Sequence, residues 1–232
     1  MDNTMENCFE ARNAMKRDAF YTDAAEYWSK VPRTVDGMLG GYGKISGVDV
    51  EGSLNFLKPY LTAPWPERVQ SRKALDCGAG IGRITKHLLL PLFETVDLVE
   101  QDKDFLEAAP KYIGPSAKRV GRYINEGLQS FTPQPKEYDV IWIQWVLGQL
   151  TDEHVVNFLK RCVTGLADDG MIFIKENISK EGLVFDDEDS SVTRSPTELK
   201  ALIQTAGLKI LKVEKQKKFP VGLFKVEMYA MR

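Results

Sequence analysis

The chain has 232 residues, of which 43% are hydrophobic, and a formal net charge of -2 at pH 7, which is sufficient for one α/β domain with a large core. Acidic and basic residues are mixed along the chain, which argues against a positive surface that would bind nucleic acid directly. No apolar run reaches the roughly 20 residues that cross a bilayer, and residues 1–18 lack the apolar stretch typical of a signal peptide, so we expect a soluble, intracellular protein without membrane contact.

The cysteines give no indication of a metal site. Cys8, Cys77 and Cys162 are widely spaced and form no CxxC pair. Only His87 and His154 are available to join them as ligands. We therefore expect reduced, mostly buried thiols and no bound metal.

The N-terminal part of the chain predicts two helices and a glycine-rich segment. Residues 1–17 are polar and charged and predict a loosely ordered, flexible tail. Apolar residues recur at helical spacing over 18–31, and a second helix is expected over 51–61. Between them lies TVDGMLGGYG (34–43), which is either a connector or a mobile lid over a ligand.

The proline-rich segment TAPWPE (62–67) separates this part from the remainder. We take 18–66 as an N-terminal helical segment that covers the substrate and 67–232 as the main domain. In the main domain, short apolar runs alternate with helical patterns, which is typical of βαβ units. The predicted helices span 82–90, 104–112, 152–166 and 196–206. The predicted strands span 72–77, 95–100, 119–125, 138–145, 171–176, 209–214 and 223–230.

The end of the chain supports this assignment. The last helix has clear boundaries: Ser195 as N-cap, Pro196 in the first turn, Glu198 in a capping box and Gly207 at the end. The final two strands are joined by a short polar turn, which predicts an antiparallel hairpin. A mostly parallel sheet of seven strands that ends in such a hairpin resembles the Rossmann-like class I methyltransferase fold.

A glycine motif follows the first predicted strand. Asp76 precedes Gly78, Gly80 and Gly82, where the backbone must turn tightly and approach a ligand. A GxGxG pattern is weak by itself because dinucleotide-binding folds share it. The carboxylate of Asp76 suits a ligand ammonium and would repel a pyrophosphate, which favours an amino-acid ligand over a dinucleotide.

Nearby residues extend this interpretation to S-adenosylmethionine. Arg83 is placed to pair with a methionine carboxylate. Glu100 ends the second strand, where an acid accepts from both ribose hydroxyls, although this feature fits NAD equally well. Leu128 and Gln129 follow the third strand and could contact the adenine face and edge. The alternatives are a surface ion pair for Arg83 and Glu100 and ordinary core packing for Leu128.

Four motifs in combination connect the chain to a known family. They are TVDGMLGGYG (34–43), LDCGAGIGRITK (75–86), YDVIWIQWVLGQL (138–150) and FDDEDSSVTR (185–194). With them, the chain from Tyr27 to Arg232 resembles the protein N-terminal methyltransferases, which methylate the α-amine of proteins beginning Xaa-Pro-Lys. The resemblance implies S-adenosylmethionine contacts by Gly78, Arg83, Glu100, Leu128, Gln129 and Gln144. It implies a peptide channel lined by Trp28, Leu39, Gly40, Trp145, Asn177, Asp186, Asp189 and Ser190.

The proposed channel residues suit this substrate. An indole face accommodates a proline ring and attracts its charge, and Trp145 is the candidate because Trp142 points to the opposite sheet face if the strand is regular. Asn177 could fix the amine or the first peptide carbonyl, although a turn-forming asparagine is an alternative. We expect Asn177 and Asp189 to be the catalytic residues, with Asp189 removing the amine proton.

The acidic run 186–189 has two interpretations. By composition it is a solvated loop, whereas the resemblance implies that it selects a lysine at the third peptide position. Ser190 and Ser191 are expected to cap or brace this loop.

The sequence departs from the family at two positions. Gln149 stands where many members have a histidine, and glutamine cannot act as a base. Phe224 aligns with a tyrosine common in the family. Alternative functions are therefore a small-molecule methyltransferase or a catalytically weak peptide-binding scaffold, whereas a dehydrogenase fits Asp76 and the terminal hairpin poorly. The resemblance implies protein N-terminal tails as partners and a location in the nucleus and cytoplasm; we also expect a monomer, although the sequence leaves the oligomeric state open.

Overall fold

The structure is a computed structural model that describes residues 3–64 and 68–232. Its α-helices are α1 (Asn3–Ala14), α2 (Phe20–Lys30), α3 (Val35–Met38), α4 (Ser46–Thr62), α5 (Lys103–Ile113), α6 (Asp152–Gly165) and α7 (Pro196–Thr205). Short 3-10 helices span Gly43–Ile45, Gly114–Arg119 and Leu147–Gln149, and a π-helical turn spans Thr85–Leu89. Within these described residues, no helix is both long and apolar enough to span a membrane.

The helices pack against one large sheet. Its strands are β1 (Lys73–Cys77), β2 (Thr95–Glu100), β3 (Val120–Asn125), β4 (Tyr138–Gln144), β5 (Leu166–Ile178), β6 (Leu183–Asp186), β7 (Ser191–Arg194), β8 (Ile210–Lys215) and β9 (Lys225–Met231). The spatial order is β3-β2-β1-β4-β5, and these strands pair in parallel. β9 then pairs antiparallel with β5, and β8 with β9, which confirms the predicted α/β class and C-terminal hairpin.

The prediction of seven strands is wrong, because the sheet has nine. The additional strands, β6 and β7, form an antiparallel hairpin that joins the sheet at the end of β5. Each has only four residues, and the acidic run comprises the last residue of β6, Asp186, and the turn that follows it. A strand this short shows too little alternation to be distinguished from a loop by sequence alone.

Both faces of the sheet are covered. All seven residues of β4 are buried, as expected for a central strand of a parallel sheet with helices on each side. On one face, Leu75 and Ile141 pack with α6 and α7; on the other, Ala74 and Trp142 pack with α4 and α5. This alternation leaves the carboxyl ends of β1, β2 and β4 at one edge of the core, where the glycine motif begins.

The predicted flexible tail is instead largely helical. Residues 3–14 form α1, which packs against β6. Ala11 is fully buried and lies in one apolar cluster with Phe20, Leu183 and Val192. The helix has little amphipathic pattern of its own, so its stability depends on this docking, which the sequence does not reveal.

Most other predicted helices are confirmed within a few residues. Ser195 accepts a hydrogen bond from the Glu198 amide, and Gly207 follows α7 with a φ of +87°. The second predicted helix begins five residues earlier, at Ser46, and the helix expected over 82–90 contains a π-helical turn. The predicted proline-rich connection lies partly outside the described residues.

Candidate active site

The first cavity lies at the carboxyl edge of β1, β2 and β4, where ligands bind in open parallel sheets. It encloses about 950 Å³ of space, part of which is open to solvent. All residues predicted to contact the cofactor line it: Gly78, Arg83, Glu100, Leu128, Gln129 and Gln144. The structure therefore brings together six side chains and backbone positions that are spread over 67 residues of sequence.

The glycine loop is shaped for close approach. Gly78, Gly80 and Gly82 have φ values of +67°, +54° and +80°, a region that side chains other than glycine rarely adopt. A Cβ at Gly78 would lie 2.6 Å from Cγ2 of Val146. The loop therefore requires glycine both for its backbone conformation and for the space in front of it.

Two carboxylates flank this loop: Asp76 is buried and Glu100 is half-buried. Glu100 accepts hydrogen bonds from the amides of Gly80 and Asp102, each at 2.9 Å. Oδ2 of Asp76 accepts from the Thr85 amide at 2.9 Å and the Thr85 hydroxyl at 2.6 Å. Burial raises the pKa of Glu100 and raises that of Asp76 to about 6. With a pKa of about 6, Asp76 is mostly ionised near neutral pH and can attract a cation, and both carboxyl groups can accept hydrogen bonds from a ligand.

Arg83 is buried rather than part of a surface ion pair. Its Nη1 donates to Oδ2 of Asp49 at 2.8 Å, and its guanidinium carbon lies 5.5 Å from the ring centroid of Trp145. The Gln144 amide donates to both carboxylate oxygens of Asp49 at 3.0 Å. Asp49 therefore contacts two of the predicted cofactor ligands. Nothing in the local sequence singled it out, because it lies on α4, far from both partners in the chain.

The donor set fits S-adenosylmethionine. Arg83 suits its carboxylate, Asp76 its ammonium, Glu100 its ribose hydroxyls, and Leu128 with Gln129 its adenine. The glycine loop leaves room where a Cβ would collide with the neighbouring wall. Across the described ranges, no group of three or more His, Cys, Asp or Glu is placed to hold a metal ion.

A second cavity adjoins the first and carries most of the predicted peptide channel. Among its lining residues are Trp28, Leu39, Gly40, Trp145, Asn177, Asp186 and Asp189. Of the acidic run, Asp187 and Glu188 are exposed and do not line this cavity. The acidic segment is therefore the turn of a hairpin that presents selected carboxylates, rather than a uniformly solvated loop.

Ser190 is the one predicted channel residue that the structure places elsewhere. It is buried, and its hydroxyl donates to the backbone carbonyl of Phe20 at 2.9 Å. It therefore braces the turn against α2, as the sequence suggested, but does not line the channel. Ser191, the first residue of β7, lines the cavity instead, because Ser190 lies in the preceding turn with a φ of +52°, which directs its side chain towards α2.

The two cavities share a wall. The residues that line both are Trp28, Met38, Leu39, Trp145 and Gln149. A ligand in the first cavity and a ligand in the second would therefore meet at these side chains. This is the geometry that a group transfer between them needs.

Trp145 reaches this wall because the strand ends before it. Its φ of +53° is unusual for a bulky residue. Glu176 accepts hydrogen bonds from the Val146 and Leu147 amides, both at 2.8 Å, and so holds the turn in place. Trp142, by contrast, is fully buried and stacks on Phe173. The tryptophans differ as predicted, but the turn, rather than strand alternation, directs Trp145.

Three buried polar atoms at this wall have no hydrogen-bond partner in the part of the chain that the structure describes. They are Nε1 of Trp145, Oε1 of Gln149 and Oδ1 of Asp189. Gln149 donates through Nε2 to Oδ2 of Asp189 at 3.3 Å. Burial raises the pKa of Asp189, and the charge of Asp186 raises it further. Unpaired buried donors and acceptors are costly unless a ligand satisfies them.

Several lining residues were not predicted. Met38 accepts a hydrogen bond from the Ile81 amide at 3.4 Å and so ties the glycine-rich segment 34–43 to the cofactor loop. Glu176 is buried beside Asn177, and burial raises its pKa to about 7. Tyr27 faces the acidic hairpin, and burial together with the charges there raises its pKa. The helical spacing of Tyr27 and Trp28 was a usable signal, whereas Glu176 had none.

Known proteins share this architecture and sequence. The family model for AdoMet dependent proline di-methyltransferase matches residues 16–232. N-terminal Xaa-Pro-Lys N-methyltransferase 1-A of Xenopus laevis is 54% identical over 213 residues, which cover 92% of this chain and 95% of that protein. N-terminal Xaa-Pro-Lys N-methyltransferase 1 of Homo sapiens is 50% identical over the same shares.

A solved structure agrees with these matches. A SAM-dependent methyltransferase from Leishmania major is 42% identical, has a TM-score of 0.85, and aligns over 92% of this chain and 83% of its own. The match therefore extends well beyond the cofactor motif into the N-terminal helices and the acidic hairpin. Because the similarity covers nearly the whole chain, this protein belongs to the family of AdoMet-dependent proline di-methyltransferases, and its resemblance to protein N-terminal methyltransferases is confirmed.

Proposed function

We propose that this chain methylates the free α-amine of protein N termini that begin Xaa-Pro-Lys. The names of its relatives describe this substrate. The observation that carries the proposal is the wall shared by the two cavities, since it joins a cofactor set to an acidic, aromatic channel. The active site is thus open to a chain terminus and not only to a small metabolite.

The cofactor, when bound, supplies a methyl group on a positively charged sulfur. The protein must present a neutral amine in line with that methyl group, because a protonated amine has no free electron pair. An α-amine has a pKa of about 8, so a nearby acceptor assists at cellular pH. Asp189 is the candidate for this proton, and Oε1 of Gln149 is a second acceptor beside it.

The remaining channel residues suit the first three residues of the substrate. The Trp145 indole offers a surface for the proline ring, and its unpaired Nε1 can donate to a peptide carbonyl. Asn177 is exposed at the channel and can fix the terminal amine or carbonyl. Asp186 is placed to attract a lysine at the third position.

The test is mass spectrometry of a Ser-Pro-Lys peptide incubated with the protein and S-adenosylmethionine, beside the same peptide with an acetylated N terminus. We expect mass increases in steps of one methyl group on the free peptide only. Methylation of both peptides would indicate that the lysine side chain, rather than the α-amine, accepts the methyl group. No increase on either, with cofactor binding intact, would contradict the proposal and favour a small-molecule substrate or a scaffold.

We further propose that the protein acts as a monomer in the nucleus and cytoplasm, without direct nucleic-acid contact. The family resemblance and the mixed surface charge support this proposal. Light scattering of the purified chain and fractionation of cells that express it provide the tests.

A further inference from the structure

A buried network of charges lies behind the cofactor cavity. Asp49 on α4 is fully buried and forms ion pairs with Arg83 at 2.8 Å and with Lys175 at 2.5 Å. Lys175, in β5, is also fully buried, and its Nζ donates to Oγ of Ser53 at 2.9 Å and to Oε1 of Gln216 at 2.7 Å. The network therefore joins the N-terminal helices to the sheet through one carboxylate.

The ion pairs of the network join two cations to one carboxylate. Arg83 and Lys175 are two cations, and both pair with the single carboxylate of Asp49. The polar groups that face Lys175 from α4 and from the segment after β8, Ser53 and Gln216, are neutral. The charge of Asp76 also acts on Arg83, although the hydrogen bonds of its Oδ2 come from Thr85. Because Asp49 is shared between both cations, a ligand carboxylate beside Arg83 would stabilise the set.

The cavity side of this network is where such an anion would lie. Arg83 and Gln144 both line the first cavity, and both are held from behind by Asp49. We infer that Asp49 is a positioning residue that aims Arg83 and Gln144 at the carboxylate of the cofactor's methionine moiety, with Lys175 as the buried cation that fixes Asp49. The inference rests on the cofactor assignment and adds to it a residue outside the glycine motif.

Replacing Asp49 by asparagine tests whether Asp49 controls the orientation of Arg83. Burial already lowers the pKa of Lys175 to about 8, while Asp49 opposes that shift. Asparagine has a similar size but lacks the charge that opposes this shift, so the pKa of Lys175 falls further. The substitution also removes the carboxylate that holds Arg83, so the orientation of Arg83 is what changes.

The experiment is calorimetric titration of two ligands that differ by one carboxylate. S-adenosylhomocysteine carries it, and S-adenosyl-3-thiopropylamine has the same adenosine, sulfur and amine without it. In Asp49→Asn we expect the affinity for S-adenosylhomocysteine to fall about tenfold or more, and the affinity for the amine to stay within about threefold of its wild-type value. Glu51→Gln is the matched control, because Glu51 lies exposed on the same helix. This variant should bind both ligands with wild-type affinity.

Two outcomes would overturn the inference: a loss that is equal for both ligands, or no loss for either. Failure of the wild-type protein to bind S-adenosylhomocysteine would instead contradict the cofactor assignment itself. If Asp49→Asn does not fold, proton uptake by the wild-type protein on ligand binding provides the test. A carboxylate that joins the network raises the pKa of Lys175, so S-adenosylhomocysteine should take up protons on binding at pH 8 and the amine should not. Proton uptake is measured as the change in binding enthalpy between buffers of different ionisation enthalpy. A binding enthalpy that is the same in all buffers for both ligands would overturn the inference.

Discussion

Gln149 lies in the wall between the two cavities and forms a hydrogen bond with Asp189, which lines the second cavity, with Nε2 of Gln149 3.3 Å from Oδ2 of Asp189. Their other oxygens, Oε1 and Oδ1, are buried and have no partner among residues 3–64 and 68–232. Two acceptors side by side suit the hydrogens of an amine. Because glutamine does not titrate, Asp189 is the only group of this pair that can take a proton.

Gln149→Leu should slow methylation while leaving cofactor binding unchanged. Leucine has a similar size but offers no acceptor to the amine and no donor to Asp189. We expect kcat for a Ser-Pro-Lys peptide to fall by about tenfold or more, with the dissociation constant of S-adenosylhomocysteine unaltered. Single-turnover kinetics and calorimetry provide the two values. Unchanged kcat would mean that Gln149 only fills space.

Asp189→Asn should have the larger effect. Burial raises the pKa of Asp189, which makes it a better proton acceptor than an ordinary carboxylate, and asparagine cannot replace it in that role. We expect kcat to fall by about 100-fold or more at pH 7 and by less at pH 9, where most of the α-amine is already neutral. Glu188→Gln is the control, since Glu188 lies exposed in the same turn. Equal losses in both variants would point to general charge loss in the hairpin rather than to a specific base.

Asp186→Asn should weaken recognition of lysine at the third peptide position. Asp186 lines the second cavity, whereas the neighbouring Asp187 does not. We expect KM for a Ser-Pro-Lys peptide to rise several-fold, because a half-solvated ion pair contributes roughly 1 kcal/mol. The effect should shrink in high salt and disappear with norleucine in place of lysine. A matching rise in Asp187→Asn would contradict a specific contact.

Cofactor affinity should decrease as the pH falls below about 6. Burial raises the pKa of Asp76 to about 6, so the carboxylate is ionised above this pH and attracts the ligand ammonium. Below it, the neutral acid loses that attraction. Titration of S-adenosylhomocysteine from pH 5 to 8 should show this decline. The affinity of Asp76→Asn should be lower and should not change with pH across this range. A decline that persists in Asp76→Asn would assign the titration to another group.

Disrupting α1 should affect the peptide more than the cofactor. Ala11 is fully buried against the β6–β7 hairpin that carries Asp186 and Asp189. Ala11→Asp should lower the free energy of unfolding by about 1 to 3 kcal/mol and raise KM for the peptide, with S-adenosylhomocysteine binding retained. Phe9→Ser is the control, because Phe9 is 68% exposed. Urea denaturation and steady-state kinetics separate the two effects.

The sequence alone predicted the features that depend on neighbouring residues. The glycine loop, the caps of α7 and the parallel strands β1 to β5 follow from backbone conformation, capping groups and apolar periodicity, all of which act over a few residues. The six residues that the family resemblance assigns to the cofactor line one cavity, because the carboxyl ends of adjacent parallel strands meet at one edge. The family resemblance supplied the channel residues that local patterns leave ambiguous.

Tertiary structure decided what depends on distant contacts. α1 is ordered through the hairpin it packs against, and Ser191 rather than Ser190 faces the channel because of how β7 begins. Asp49 lies between Arg83 and Lys175 although 34 and 126 residues separate it from them. Such pairings depend on which surfaces the folded chain brings together, and hydrophobic burial across the whole sheet, rather than any local preference, determines that arrangement.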